Sequence, residues 1–160
     1  MFIVAGTHRM IDSMSVTVRR LEDRDRDRWL ELWAGYLAFY RAEVSDDVTA
    51  ATFARLCDGA DGVLGLVATD ADDRLVGLAH LVFHPSTWSV PGYCYLEDLY
   101  VDPAARGGGA SRALFDAVFA EARERGVERT YWHTQEFNAA ARSLYDTVGK
   151  LTSMVVYERT

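Results

Sequence analysis

Cysteine is scarce in this chain, and the scarcity is informative. Only Cys57 and Cys94 occur among 160 residues, far apart and without a Cys-x-x-Cys pair. That excludes a disulfide-stapled scaffold and a cysteine-based zinc site. It fits free thiols in a reducing compartment, so a cytoplasmic protein is expected. Basic residues are also in deficit: 17 Lys and Arg stand against 24 Asp and Glu, for a formal net charge of -7. Such a balance argues against nucleic acid as a partner, because coating it needs a basic face to neutralise phosphates. Cationic substrates are tolerated. No apolar run reaches the ~18 residues of a membrane span, so no membrane partner is expected, and Phe2 to Ala5 is too short for a signal-peptide core. Internal repeats and low-complexity tracts are missing too. What remains is 49% hydrophobic and 12% aromatic, enough for one globular domain with a proper core.

A further absence sharpens the most unusual stretch. An apolar segment ending at Val101 joins a helical pattern through Gly107, Gly108 and Gly109. Glycines let the backbone approach a ligand, and the first helical turn offers unclaimed amide hydrogens in the positive field of the helix dipole. This is an anion cradle, with phosphate as its natural guest. A nucleoside triphosphate loop needs a Lys and a Ser or Thr after its last glycine, whereas Ala110 and Ser111 follow here. The spacing also fails the Gly-x-Gly-x-x-Gly dinucleotide pattern. Arg106, Arg112 and Arg142 lie around the loop in sequence and favour an anionic cofactor, although Arg142 also reads as an ordinary surface arginine.

Along the chain, residues 1–14 carry no periodicity and read as a loosely ordered leader, with Met10 or Met14 as alternative starts; 15–160 reads as one domain. Val16, Val18 and Leu21 suggest a strand, and Glu22, Asp23 and Asp25 suit the start of a helix reaching about Arg41. Its stripe of Trp29, Trp33, Tyr36, Leu37 and Tyr40 reads as core, with Tyr36 and Tyr40 also placed to line a substrate entrance. A short helix capped by Thr49, stapled by Val48 and Phe53, ends before Gly59. Val63 to Thr69 and Leu75 to His84 form a hairpin across Asp70 to Asp73, followed by a loop around Pro85 and Pro91. A strand over Tyr93 to Val101 feeds the glycine loop. A helix lined by Ala110, Ala113, Leu114, Ala117, Val118 and Ala122 ends at Gly126. Thr130 to Thr134 is a strand, Asn138 to Thr147 a helix capped by Asn138, and Leu151 to Tyr157 a last strand.

Two segments carry chemistry besides the loop. Asn138 and Tyr145 are seven residues apart, which at about 100° per residue brings them within about 20° of one helix face. Alternation along the strand puts Tyr93, Tyr95, Glu97, Leu99 and Val101 on one face and Cys94, Leu96, Asp98 and Tyr100 on the other, so Glu97 and Asp98 should point apart. His80 and His84 would stand about 13 Å apart on a strand, too far to share an ion, so no metal is expected. His84, beside Pro85 and near Trp88, is placed toward the substrate end of the sheet, while His80, His133 and Cys94 read as packed side chains.

Val101, Pro103, Arg106, Gly107 and Gly109 resemble the pyrophosphate loop of the GNAT superfamily of N-acetyltransferases, with Ser111 at its last small position. Asn138, Ala141, Leu144 and Tyr145 are similar to that superfamily's Asn-x-x-Ala-x-x-Leu-Tyr motif. The run from Tyr95 to Val101 resembles the acidic strand of diamine acetyltransferases and of the fungal histone and polyamine acetyltransferase branch. The resemblance implies an α+β fold: a mixed, mostly antiparallel central sheet with a splayed strand pair and helices on both faces. It implies acetyl-coenzyme A as cofactor, its pyrophosphate held by Arg106, Gly107, Gly108, Gly109, Ala110, Ser111 and Arg112 and oriented with help from Asn138. Main-chain amides of Leu99, Tyr100 and Val101 would polarise the thioester. Tyr145, a phenol with a reference pKa of about 10, would protonate the departing thiolate. Glu97 would take the amine proton, directly or through water, and Asp98 would help hold a cationic substrate or serve as a structural acceptor.

The expected activity is acetyl transfer to a primary amine of polyamine-like or amino-acid-like type by direct attack in a ternary complex. Acetylation of a protein lysine or N-terminus is the alternative, and a non-catalytic acyl-coenzyme A sensor a third. A homodimer is expected by analogy with the superfamily and from exposed strand edges near the C-terminus.

Overall fold

The computed structural model describes residues 15–159, so the expected leader over 1–14 lies outside the described residues. Five strands form one sheet in the order β1-β2-β3-β4-β5: β1 Thr17–Arg20, β2 Val63–Thr69, β3 Leu75–Ser86, β4 Ser89–Val101 and β5 Thr130–Trp132. All neighbours are antiparallel except the final pair, β4 and β5. Helices α1 (Arg26–Tyr40) and α2 (Asp46–Asp58) cover one face, and α3 (Ala110–Glu124) and α4 (Ala139–Val148) the other. β2 and the first half of β3 are buried nearly throughout, because helices on both sides leave no strand face for water. No helix among the described residues is long and apolar enough to cross a membrane.

Two cores result. Leu114, Phe115 and Val118 of α3 pack on Leu64, Leu66, Leu81, Cys94 and Leu96. Across the sheet, Trp29, Leu32 and Trp33 of α1 and Phe53 and Leu56 of α2 pack on Val67 and Leu78. The α1 stripe is an aromatic stack that climbs from core to surface. Trp29 and Trp33 lie 5.7 Å apart and near parallel, Trp33 and Tyr36 5.3 Å, and Tyr36 and Tyr40 4.9 Å.

Several boundaries differ from the sequence reading. Helix α2 is capped by Ser45, whose hydroxyl accepts from the Val48 amide at 3.3 Å, and not by Thr49. Asp46 and Asp47 then occupy the acid-favouring first turn, and Val48 is exposed rather than stapling the entry. No loop opens around Pro85 and Pro91: β3 and β4 run on as a long hairpin. The register shift between His84 and Ser86 lets Pro85 sit where the ladder is already broken. β5 stops at Trp132, two residues early.

The expected strand over Leu151 to Tyr157 does not form. Residues 151–157 are irregular, with a bend at 153 and no ladder bonds, and a cavity of about 1030 Å3 lies between them and β5, α3 and α4. Leu151, Met154 and Tyr157 are 75%, 72% and 93% exposed, so this apolar strip has found no sheet edge among the described residues.

Candidate active site

The glycine loop is built as a cradle. Arg28 donates to the Asp102 carboxylate and, at 3.1 Å, to the Leu75 carbonyl, which ties the start of the loop to α1. Asp102 also accepts from the Ala104 amide at 2.9 Å, closing the turn at Pro103 to Ala105. Gly107 and Gly109 then take φ of 81° and 86°, a left-handed conformation costly for any residue with a Cβ. A Cβ at either would meet nothing within 4 Å, so the loop is open outward and its glycines serve backbone shape. Gly109 caps α3 without a side-chain acceptor, and the first helical bond is donated by Ala113 to Gly109 at 3.0 Å. The amides of Ala110, Ser111 and Arg112 are left for an external anion. The exposed Arg106 and Arg112 flank them, Arg112 donating to Thr147 at 3.2 Å. A diphosphate fits this donor set.

Upstream of the loop the sheet opens. β4 pairs with β5 only from Cys94 to Leu96, so residues 97–101 have no strand on that side. Leu99 and Val101 thus carry main-chain groups facing a gap, while the ladder marked by the Asp102 amide bond to the Val76 carbonyl turns Tyr100 back to β3, against the expected set of three amides. The same place holds a β-bulge: His80 pairs with Asp98 but Leu81 with Leu96, leaving Glu97 as the extra residue. The bulge corrects the expected alternation. Cys94 and Leu96 face α3, and so do Leu99 and Val101, while Asp98 and Tyr100 face α1. Glu97 and Asp98 therefore do not point apart but share one opening.

Their surroundings are acidic and aromatic. Burial, and then the Asp98 charge, push the Glu97 carboxyl above its ordinary range. Burial, then the Asp98 charge, raise the Tyr36 and Tyr40 phenols; Tyr95 is raised by burial, then by Glu97 and Asp98. Tyr36, Tyr40 and Tyr95 thus wall the two carboxylates. Gly35 makes room for this wall, since a Cβ there would stand 2.6 Å from the Tyr100 hydroxyl.

Helix α4 supplies the opposite side. Asn138 caps it, accepting from the Ala141 amide at 3.4 Å and donating to the Thr134 hydroxyl at 3.2 Å, which fastens α4 to the end of β5. Tyr145 packs on Phe115 at 5.6 Å and Trp132 at 5.7 Å. Burial raises its phenol, with Tyr40 adding to the shift and Thr134 opposing it, so the proton is retained at neutral pH. Tyr40, whose phenol also responds to the Asp98 charge, is within electrostatic reach of Tyr145.

His84 stands apart from this group. It pairs with Tyr93 and joins the site through Tyr131, whose hydroxyl is 2.9 Å from Nε2 and whose ring stacks on Tyr95 at 4.9 Å. Arg142 donates to the Glu136 carbonyl at 2.8 Å and so braces its own loop. The sequence reading missed Asp102, Gly35 and above all His80, which is bonded to Asp98 rather than merely packed. A lone polar residue in the apolar run Leu75 to Phe83 was its available signal, because a buried imidazole needs a partner. No group of three or more metal-binding side chains gathers among the described residues.

A diphosphate cradle at a helix N-terminus, beside a splayed strand pair that exposes main-chain amides and carboxylates, defines an acyl-coenzyme A dependent transferase. The comparisons agree. The acetyltransferase (GNAT) family profile matches residues 26–149, and the chain belongs to that family. It is 34% identical over 145 residues to the D-amino-acid N-acetyltransferase HPA3 of Saccharomyces cerevisiae, covering 90% of each chain. A thialysine N-epsilon-acetyltransferase of Caenorhabditis elegans is 41% identical over 63 residues, 39% of each chain. Among solved structures, AAC(6')-Iy bound to a bisubstrate analogue superposes with a TM-score of 0.78 at 19% identity. The match covers 91% of this chain and 98% of that one. The protein is an N-acetyltransferase that uses acetyl-coenzyme A.

Proposed function

We propose that this enzyme acetylates the primary amine of a small cationic molecule of polyamine or amino-acid type, by direct attack in a ternary complex. The observation that carries the reading is the bulge at Glu97, which turns two carboxylates into one opening walled by Tyr36, Tyr40 and Tyr95. Paired carboxylates with aromatic walls suit an ammonium group through charge and cation–π attraction. The relative from yeast, a D-amino-acid N-acetyltransferase aligned over 90% of both chains, supports an amino-acid-like substrate.

The roles follow from chemistry. Bound acetyl-coenzyme A supplies the acetyl thioester; Arg106, Gly107 to Ser111 and Arg112 hold its diphosphate, and Asn138 sets the edge of its channel. Amides of Leu99 and Val101 donate to the carbonyl oxygen as charge builds on it. Glu97, with its raised pKa, takes a proton from the amine, and Asp98 stays with the substrate as counter-charge. Tyr145 delivers a proton to the leaving sulfur. Tyr36 lines the amine pocket and His84 its outer rim. The site lies in 15–160, taken as one domain, and two free thiols suit a cytoplasmic setting. A second copy of the chain would cover the exposed 151–157 strip beside the open edge of β5, giving a homodimer.

The test is thiol release from acetyl-coenzyme A with a panel of polyamines, D- and L-amino acids, aminoglycosides and lysine peptides, in wild type and Tyr145→Phe. Release with small amines that collapses in the variant is the expected result. Turnover on peptides alone would move the assignment to protein acetylation, and cofactor binding without turnover on any amine would make the chain a sensor. Light scattering of the full chain and of a form ending at Lys150 tests the dimer, which should dissociate on truncation.

A further inference from the structure

The roles above leave one buried polar cluster unused. His80 is 2% exposed, and both of its ring nitrogens are engaged. Nε2 lies 3.0 Å from Trp29 Nε1, and Nδ1 lies 2.9 Å from Asp98 Oδ2. An indole nitrogen only donates, so Nε2 must be the accepting nitrogen. The single proton of the neutral ring then sits on Nδ1 and is donated to Asp98. A second proton, on Nε2, would face the indole N–H directly, with Trp29 fully buried and Trp33 packed on the imidazole at 5.4 Å.

The chain of contacts spans three elements: Trp29 on α1, His80 on β3 and Asp98 on β4. His80 and Asp98 are the last regular cross-strand pair before the bulge, so the bond is made where the strand changes direction. The groups facing His80 are few. β4 contributes Asp98 and, by charge, Glu97; α1 contributes Trp29, Trp33 and the Tyr36 phenol; β2 places Gly65 opposite, without a side chain. No cation is among these neighbours, so Asp98 is oriented by the imidazole, with the Tyr36 phenol as its second hydrogen-bonding neighbour.

We propose that His80, held by Trp29 in its Nδ1–H tautomer, is the positioning residue of the amine site: its hydrogen bond fixes Asp98 Oδ2 and leaves Oδ1 to receive the substrate ammonium beside Glu97. The inference rests on the reading of Glu97 and Asp98 as the amine site. His80 touches no reacting atom. It sets which carboxylate oxygen is offered, and Trp29 sets the tautomer that allows it.

Long-range 1H–15N spectra of the 15N-labelled wild type, without substrate, read the tautomer directly. His80 should be Nδ1–H with Nε2 unprotonated. An Nε2–H ring overturns the assignment. Trp29→Phe keeps the ring and removes the donor, so the preference for the Nδ1–H tautomer should weaken and the amine KM should rise. His80→Leu should raise the amine KM about tenfold, the scale of one lost bond to a charged group, with the acetyl-coenzyme A KM unchanged. His80→Asn, whose amide reaches the place of Nδ1–H, should recover most of that loss. Equal effects of Leu and Asn, or equal rises in both KM values, would mean that His80 serves packing alone. Absence of turnover on every amine would instead refute the functional reading, while the spectra still decide the tautomer.

Discussion

Replacing Glu97 with Gln keeps the shape of the bulge and removes the base, and the structure dictates how the loss should vary with pH. Burial and the Asp98 charge raise the folded pKa of Glu97, so the wild-type rate should fall as pH drops through that raised value and level off above it. The Gln variant must wait for amine that is already neutral. For an amine of pKa near 10 the neutral fraction is about one in a thousand at pH 7 and grows about tenfold per pH unit. The defect should therefore be about 100- to 10,000-fold near neutrality, the usual span of general-base catalysis, and shrink by about one decade per unit toward pH 10. In barrier terms each decade is about 1.4 kcal/mol. The assay is kcat from initial thiol release at saturating amine and cofactor. Asp98→Asn supplies a second reading, because losing the neighbouring charge lowers the Glu97 pKa and moves the acidic limb to lower pH. A Gln variant that parallels wild type at every pH, or whose defect grows with pH, refutes Glu97 as base.

Tyr145→Phe should cut kcat about 100-fold or more while calorimetric coenzyme A affinity stays put, since only the proton donor is removed; equal losses of both would make Tyr145 a packing residue. At Gly109, φ of 86° makes a Val substitution cost about 1–2 kcal/mol of strain or distort the cradle, so coenzyme A should bind about tenfold more weakly. Asp25 accepts from Arg19 at 2.6 and 2.9 Å and is 6% exposed, so Asp25→Asn should cost about 3 kcal/mol in urea unfolding. Burial raises the Asp25 pKa, but the Arg19 bonds, the Glu22 amide and the Arg19 and Arg24 charges outweigh it and set it below the unfolded value. Its contribution is full above the unfolded pKa and disappears as pH falls through the folded one, which acid titration of the unfolding midpoint checks. Burial pushes the Cys94 thiol up to about 11. Little thiolate exists at neutral pH, so Cys94→Ala should retain acetyl transfer, and a folded variant without it would imply an acetyl-cysteine intermediate.

The parts of the fold legible in the sequence are those dictated locally. Asn138 announces its helix because a capping side chain acts within three residues, at Ala141. The glycine loop announces itself because left-handed φ values at Gly107 and Gly109 are a property of single residues. Element order followed, since apolar periodicity is read over short windows. Leu151 to Tyr157 has strand-like composition as well, yet a strand exists only when its backbone groups find a ladder. Here β5 offers three residues and a cavity separates the two, so the composition is right and the partner is missing among the described residues.

The carboxylates were legible as residues and illegible as geometry for a related reason. Alternation assumes one residue per side-chain flip, and one inserted residue reverses the parity of everything beyond it. Nothing within Tyr95 to Val101 marks Glu97 as the insertion; that is decided by pairing with β3, where Leu81 meets Leu96 and His80 meets Asp98. Without the bulge Asp98 would continue the Cys94 and Leu96 face into the α3 core, a buried charge among aliphatic side chains and costly to keep. The bulge relieves that conflict by turning Asp98 toward His80. The same extra residue ends the match with β5, leaves Leu99 to Val101 without a neighbour and sets Glu97 at the opening. Deleting Glu97 would join Leu96 directly to Asp98, keep Asp98 opposite His80 on the α1 side and leave β4 regular, so the fold survives while the base and the distortion beside the gap are both lost. The expected result is a variant about as stable as E97Q in urea unfolding whose acetyl transfer falls well below that of E97Q. A deletion variant as active as E97Q would show that the bulge is incidental.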